Sequence, residues 1–384
     1  MVTTYPPRIE PSATVRMGDR ARELEAQGVD VVNLGSGSPD FVTPDHVTEA
    51  ARRALEEGKT QMGTTAGLPA LREAISEKLS TDNGIDADPE LVGVTPGSKF
   101  ALFAAVTALV RDGDEVVLFD PSWVSYQAMV ELVDGDLHRV ELDPDAGFSL
   151  GTVDLAEEVS DETRVLILNN PANPTGAVFS RSELEEIRDL AVEHDFWVVA
   201  DEIYEKMTYG VEHRSVGSLD GMSGRTVTVN GFSKAYAMSG WRLGYFTAPS
   251  SLVDAIRTIQ SQTVSSATIF AQHGAVAALR GPQDAVEAMR ETYDSRIRTA
   301  MDVLGNAGVD VPRPEGGFYL FVPVDTDDDV ELAETILEEQ RVATTPGSAF
   351  GVPGHLRLAC TVPEERIADG VSRLVTGPHV DFGT

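Results

Sequence analysis

The sequence predicts an α/β protein: a large domain with a mostly parallel central sheet between helices, plus a smaller α+β domain. Three observations carry that prediction. Between about residues 90 and 250, short apolar runs alternate with helical patterns, as in layered α/β architectures. Four of these runs are nearly unbroken in apolar and β-branched residues, as strands covered on both faces must be. Beyond about residue 290 the order changes to a long helix, an apolar run, a second helix and a strand.

The four runs are 115–119, 164–168, 196–200 and 226–229, and a fifth candidate strand covers 242–247. A helix is expected at 98–110, after Thr95-Pro96-Gly97. Another is expected at 183–194, where Ser180 and Glu183 have the spacing of a capping box. The C-terminal part should hold a helix at 293–305, an apolar run at 317–322, a helix at 330–340 and a strand at 355–360. Pro6, Pro7, Pro11, Pro39 and Pro44 predict an extended arm over the first 45 residues, packed with the smaller domain. The expected division is 1–45 for the arm and part of the small domain, 46–288 for the large domain and 289–384 for the small C-terminal domain. The acidic run 325–329 reads as a solvated loop.

Composition narrows the function classes. The 384 residues suit two domains. Sixty-two acidic side chains face 30 basic ones, a formal net charge of -32, so no basic face is available for nucleic acid. Only Lys59, Lys78, Lys99, Lys206 and Lys234 represent lysine, so each needs a reason. An acidic, lysine-poor surface suits a cytoplasm at high salt, and a halophilic protein is expected. One cysteine, Cys360, excludes an intrachain disulfide and fits a reducing, cytoplasmic setting. Residues 1–10 show no secretory leader pattern, and the longest nearly apolar stretch, 100–110, is too short to cross a bilayer. His138, His194 and His355 form no spaced ligand set, so no metal site is expected.

In α/β sheets, ligands gather beyond the carboxyl ends of the strands. There the sequence places 169–176 (Asn-Asn-Pro-Ala-Asn-Pro-Thr-Gly), Asp201-Glu202-Ile203-Tyr204, Ser233-Lys234 and Arg242. A carboxylate at the mouth of a buried strand needs a cation. A desolvated lysine is a nucleophile toward carbonyls, and a guanidinium grips phosphate through paired bonds. Asp201 could pair a ring nitrogen, Lys234 an aldehyde and Arg242 a phosphate, and pyridoxal phosphate (PLP) carries all three. Taken singly, each residue has a plainer reading. Asp201 could cap a helix, Trp123 could be core, and Tyr204 and Asn173 could be turn residues. Arg357 could form a surface pair, Lys99 could face solvent at a helix start, and Lys206 reads as a solvated helix residue.

Together with Pro11-Ser12-Ala13-Thr14, Gly37-Ser38-Pro39-Asp40-Phe41, Pro121-Ser122-Trp123, Gly240-Trp241-Arg242-Leu243-Gly244 and His355-Leu356-Arg357-Leu358, these segments resemble the PLP-dependent class I aminotransferases of fold type I over nearly the whole chain. The bacterial and archaeal aspartate aminotransferase subgroup is the most similar. The resemblance implies that Lys234 forms the covalent link to the cofactor and then moves the proton. Asp201 would hold the pyridine nitrogen protonated, and Asn173 and Tyr204 would bond the ring hydroxyl. Trp123 would stack on the ring. Arg242, Ser233 and the backbone of Gly97, Ser98 and Lys99 would hold the phosphate. Arg357, helped by Gly37, would grip the substrate α-carboxylate, with Trp123 and Asn173 beside it. Lys99 and Thr14 would meet a distal carboxylate, which favours L-aspartate as donor and 2-oxoglutarate as acceptor in ping-pong chemistry. The resemblance also implies a homodimer. Met62 departs from it, standing where the family usually has a tyrosine that reaches the partner's phosphate; Thr64 could substitute, or cofactor affinity falls. Aminotransferases of aromatic, alanine, prephenate or broad specificity share these residues, as does a C–S lyase on the same fold. A regulator built on this fold would need a DNA-binding segment, and a nucleotide-binding protein would need a phosphate loop; neither is visible.

Overall fold

The computed structural model describes residues 13–382. The prolines at 6, 7 and 11 and Ser12 of the expected arm therefore lie outside the described residues. Among these residues the strands are β1 (Val32–Asn33), β2 (Val92–Thr95), β3 (Glu115–Asp120), β4 (Asp136–Glu141), β5 (Thr163–Asn169), β6 (Trp197–Asp201), β7 (Thr226–Gly231), β8 (Gly244–Thr247), β9 (Tyr319–Pro323), β10 (Val342–Ala343), β11 (Thr345–Pro346) and β12 (His355–Ala359).

Seven strands form the central sheet in the order β2-β8-β7-β6-β5-β3-β4. Its pairs from β4 to β7 are parallel, and β8 runs antiparallel to both β7 and β2. The sheet is thus mostly parallel and covered on both faces, which is why its strands carry so few polar residues. Register places Asn169 beside Asp201 and Asp201 beside Val229, so β5, β6 and β7 end side by side. Two small sheets complete the fold: β11-β12-β9, antiparallel, and β1-β10, parallel. The expected fold class is the observed one.

The helix Ser98–Leu109 is apolar over most of its length because it is buried, with Ala101, Leu102, Ala104, Ala105 and Val106 inside. It starts at Gly97, whose φ of 88° lies in the left-handed region that favours glycine. The capping box forms: Ser180 Oγ accepts from the Glu183 N–H, and Glu183 Oε2 accepts from the Ser180 N–H at 2.7 Å.

Several expectations change. Residues 13–26 are not extended but form the helix Ala13–Ala26, because that stretch holds no proline and Met17, Ala21 and Leu24 fall on one buried face. The expected strand at 242–247 begins only at Gly244, since Arg242 takes a left-handed φ of 53° that ends strand geometry. The helix expected at 293–305 spans Asp284–Asn306. The run 325–329 is not uniformly solvated. Asp328 caps the helix Asp329–Thr335, and buried Asp329 accepts a bond from the Ser348 N–H at 2.9 Å. Lys206 lies in a turn rather than a helix and pairs with Asp82 at 2.7 Å. No described helix is long and apolar enough to cross a membrane.

Candidate active site

The ends of β5, β6 and β7 open into one cavity of about 400 Å³. Thr14, Gly37, Ser98, Lys99, Trp123, Asn173, Asp201, Tyr204, Ser233, Lys234, Arg242 and Arg357 all line it. Gly97 stands directly behind: a Cβ there would come within 2.5 Å of Arg242 Nη2. The residues that the family resemblance implies for cofactor and substrate therefore gather in one place, while Met62 and Thr64 lie outside it.

Asp201 ends β6, with its side chain almost fully buried. It is no helix cap, since a turn follows it. Its Oδ2 accepts from the Tyr126 hydroxyl at 2.8 Å and its Oδ1 from the Ile203 N–H at 3.3 Å. Burial pushes the Asp201 carboxyl up to about 6, against the lowering pull of those two bonds and of Lys234. Two residues beyond β7, Ser233 and Lys234 reach the same space. The Lys234 Nζ donates to the Gly37 carbonyl at 2.6 Å and lies 5.5 Å from the centre of the Tyr204 ring. Burial lowers the Lys234 ammonium to about 8, and the positive charge of Arg357 adds to that fall. A substantial neutral fraction at modest pH makes Lys234 a usable nucleophile.

Tyr204 and Tyr319, both buried, share a hydroxyl hydrogen bond of 2.8 Å. Arg357 on β12 is 2 % exposed and is no surface pair. Its Nη1 donates to Asn173 Oδ1 at 3.2 Å and its Nη2 to the Gly35 carbonyl at 2.6 Å, with Tyr319 and Phe350 rings 4.6 and 5.0 Å away. Asn173 is fixed in turn, its N–H donating to Asn169 Oδ1 at 2.8 Å. Gly37 is needed here because a Cβ would fall 2.3 Å from the Tyr319 hydroxyl oxygen.

On the other wall, Lys99 is exposed as a residue, yet its ammonium lies 4.6 Å from the Trp123 ring centre. Partial burial, then the charge of Arg242, lowers its pKa. Arg242 curls back so that its Nη1 donates to the Ser239 carbonyl at 2.7 Å. Thr14 Oγ1 is buried and has no hydrogen-bond partner among the described residues.

Met62 stands apart, 78 % exposed on its loop. Thr64 is a poor substitute donor for the absent tyrosine, because its hydroxyl donates to the Gly67 carbonyl at 2.9 Å. Tyr126 and Tyr319 line the cavity without having been foreseen, while Ser38, Ser239 and Ile203 line it with no role assigned to them from the sequence. The three histidines discussed above are occupied elsewhere: His138 with Glu158, His194 with Asp161 and His355 stacked on Phe321. Glu202, Glu205 and His213 do bring ligand-type atoms within 4.8 Å of one another. Their carboxylates are already bonded, Glu205 by Lys78 and Asn83, and Glu202 by Ser215 at 2.5 Å and Asn83 at 3.1 Å.

A nucleophilic lysine, a buried carboxylate, and an arginine over a glycine cradle at a helix N-terminus form a donor set for an aldehyde, a ring nitrogen and a phosphate. A profile of the family "Aminotransferase class I and II" matches residues 29–374. The chain belongs to this family. It is 42% identical over 376 residues to a probable aspartate/prephenate aminotransferase of Aquifex aeolicus, covering 95% of each chain. An aspartate/prephenate aminotransferase of Thermus thermophilus is also 42% identical, over 370 residues and 95% of each chain. The solved aspartate aminotransferase of Thermus thermophilus with maleate superposes with a TM-score of 0.92 at 42% identity, over 96% of this chain and 97% of that one. An aromatic aminotransferase of Pyrococcus horikoshii gives 0.87 at 40% identity, over 94% and 97%. This aminotransferase is PLP-dependent, and the cavity's donor set fits that cofactor.

Proposed function

We propose that this aminotransferase takes its amino group from L-aspartate and delivers it to a 2-oxoacid, 2-oxoglutarate first, in two alternating half-reactions. The observation that carries the choice of donor is a cation in the cavity beyond those given to the cofactor and the α-carboxylate. Arg357 suits the carboxylate that every amino acid has. Lys99, stacked on Trp123, with the unpartnered Thr14 hydroxyl on the same cavity, suits a further carboxylate. The names of the Aquifex and Thermus relatives support the same class of substrate.

Bound PLP supplies the electron sink that makes loss of the Cα proton feasible. The chain's own residues do the rest in this reading. Lys234, as the neutral amine, would hold the cofactor's aldehyde carbon and, once released, would hold and move the Cα proton at its Nζ. Asp201 keeps the ring nitrogen protonated. Tyr204 and Asn173 bond the ring hydroxyl, and Trp123 fixes the ring plane. Arg242, Ser233 and the Gly97–Ser98–Lys99 backbone anchor the phosphate at a helix N-terminus. Arg357 and Gly37 orient the α-carboxylate.

We infer a homodimer, supported by the exposure of Met62 in the segment whose family counterpart reaches a partner. Division at about residues 45 and 288, a cytoplasmic setting and salt dependence complete the proposal, the last supported by the net charge of -32. Full stability in dilute buffer would sink the salt dependence.

The test is the visible absorbance of the purified protein in high salt, before and after L-aspartate alone. Loss of the band of the Lys234-linked cofactor, with gain of the aminated form, supports both donor and half-reaction. A band indifferent to L-aspartate but responsive to an aromatic donor moves the specificity. Pyruvate and ammonia release from cysteine would instead indicate a lyase.

A further inference from the structure

We propose that Tyr126 is a positioning residue for Asp201, its phenol O–H aiming the carboxylate that pairs with the cofactor's ring nitrogen and stabilising its charged form. The inference rests on the reading of Asp201 given above. Tyr126 lies in the helix Ser125–Glu131 and is 2 % exposed. Its hydroxyl reaches Asp201 Oδ2 at 2.8 Å. The remaining protein donor described on that carboxylate, the Ile203 N–H, is longer at 3.3 Å. Tyr126 therefore makes the stronger of the two contacts.

Geometry also ties Tyr126 to the ring plane. The Trp123 ring meets it edge-on at 5.2 Å and 80°, and the Tyr126 N–H donates to the Trp123 carbonyl at 3.0 Å. The segment 123–126 thus carries both the side chain that would stack on the ring and the group that bonds Asp201. Burial holds the Tyr126 phenol well above its ordinary pKa, so it stays a donor.

The chemistry follows from proton sharing. A carboxylate and a pyridine nitrogen compete for one proton, and the more basic group keeps it. A hydrogen bond donated to the carboxylate lowers its basicity and leaves the proton on the ring nitrogen. Without that bond the carboxylate takes a larger share, and the ring becomes a weaker electron sink. Nothing in this role requires Tyr126 to touch the substrate.

Tyr126→Phe removes one oxygen and keeps the ring packing. The full-length enzyme is loaded with PLP labelled with ¹⁵N in the ring, and the ¹⁵N chemical shift is read near neutral pH. The expected result is a shift toward the unprotonated nitrogen, a fall in kcat of about tenfold and an unchanged KM for the amino donor. An unchanged ¹⁵N shift overturns the proposal, whatever happens to kcat, because a packing defect lowers activity without moving that signal. Asp201→Ala is measured in parallel. If it too leaves the ¹⁵N shift alone, the reading of Asp201 fails; if it moves the shift and Tyr126→Phe does not, only the present inference fails.

Discussion

Arg357 and Lys99 are two cations of one cavity held in opposite ways. Arg357 is buried, bonded to Asn173 and to the Gly35 carbonyl, and flanked by the Tyr319 and Phe350 rings. Lys99 is exposed and leans on a single ring, Trp123. A rigid fork suits the group that every substrate shares, whereas a flexible ammonium suits a group that varies. In the proposed reading, reaction and specificity fall to differently built walls. Changes on the buried wall should damage all substrates alike, and changes on the open wall should sort them.

Lys234→Ala gives the outer bound of that contrast. Turnover should fall at least about a thousandfold with every donor. A residual rate near that of the native enzyme would remove Lys234 from the reaction. Arg357→Lys keeps the charge but loses the fork. It should lower kcat/KM about a hundredfold for aspartate and alanine equally. An aspartate-only loss would mean that the roles of the two cations are exchanged. The buried wall also has a pH signature. Lys234 is held down to about 8, so the rate at which cofactor-free protein captures PLP should rise about tenfold per pH unit up to that point and then level off. A rise continuing toward the range of an ordinary lysine would contradict its desolvation. On the open wall, Lys99→Ala should cost about tenfold in kcat/KM for aspartate and little for alanine, and equal losses would erase the distinction. The smallest effect concerns the exposed loop. Met62→Tyr should tighten PLP binding by a few-fold, about one neutral hydrogen bond. Equal or weaker affinity in a binding titration would mean that this segment does not reach the phosphate.

The sequence made the two walls unequally legible. Buried parallel strands read as nearly continuous apolar runs, so β3, β5, β6 and β7 and the polar residues at their ends stood out. β4 was missed because, as the sheet's edge, it keeps the mixed run Asp136–Glu141 half exposed. β2 was missed because Val92–Thr95 is short and interrupted by Gly93. Tyr126 and Tyr319 sit in apolar surroundings, where a tyrosine reads as packing. Only the fold shows that their hydroxyls meet Asp201 and Tyr204. Asp329 failed for the converse reason. Its neighbours are solvated acids, and nothing local announces that the Ser348 N–H will draw it inside.

The charge map of the molecule has a kinetic consequence. The chain carries a formal charge of -32, yet the described residues lining its cavity include Lys99, Lys234, Arg242 and Arg357 against one acid, Asp201. A dianion approaching from solution meets a hill before a well. Salt flattens the hill first, because the shell acts over many ångströms while the inner cations act at contact. Capture of acidic substrates should therefore quicken as ionic strength rises, the reverse of ordinary electrostatic steering. In concentrated salt the acidic surface would slow such a substrate little, while in dilute buffer the same surface would hold it off.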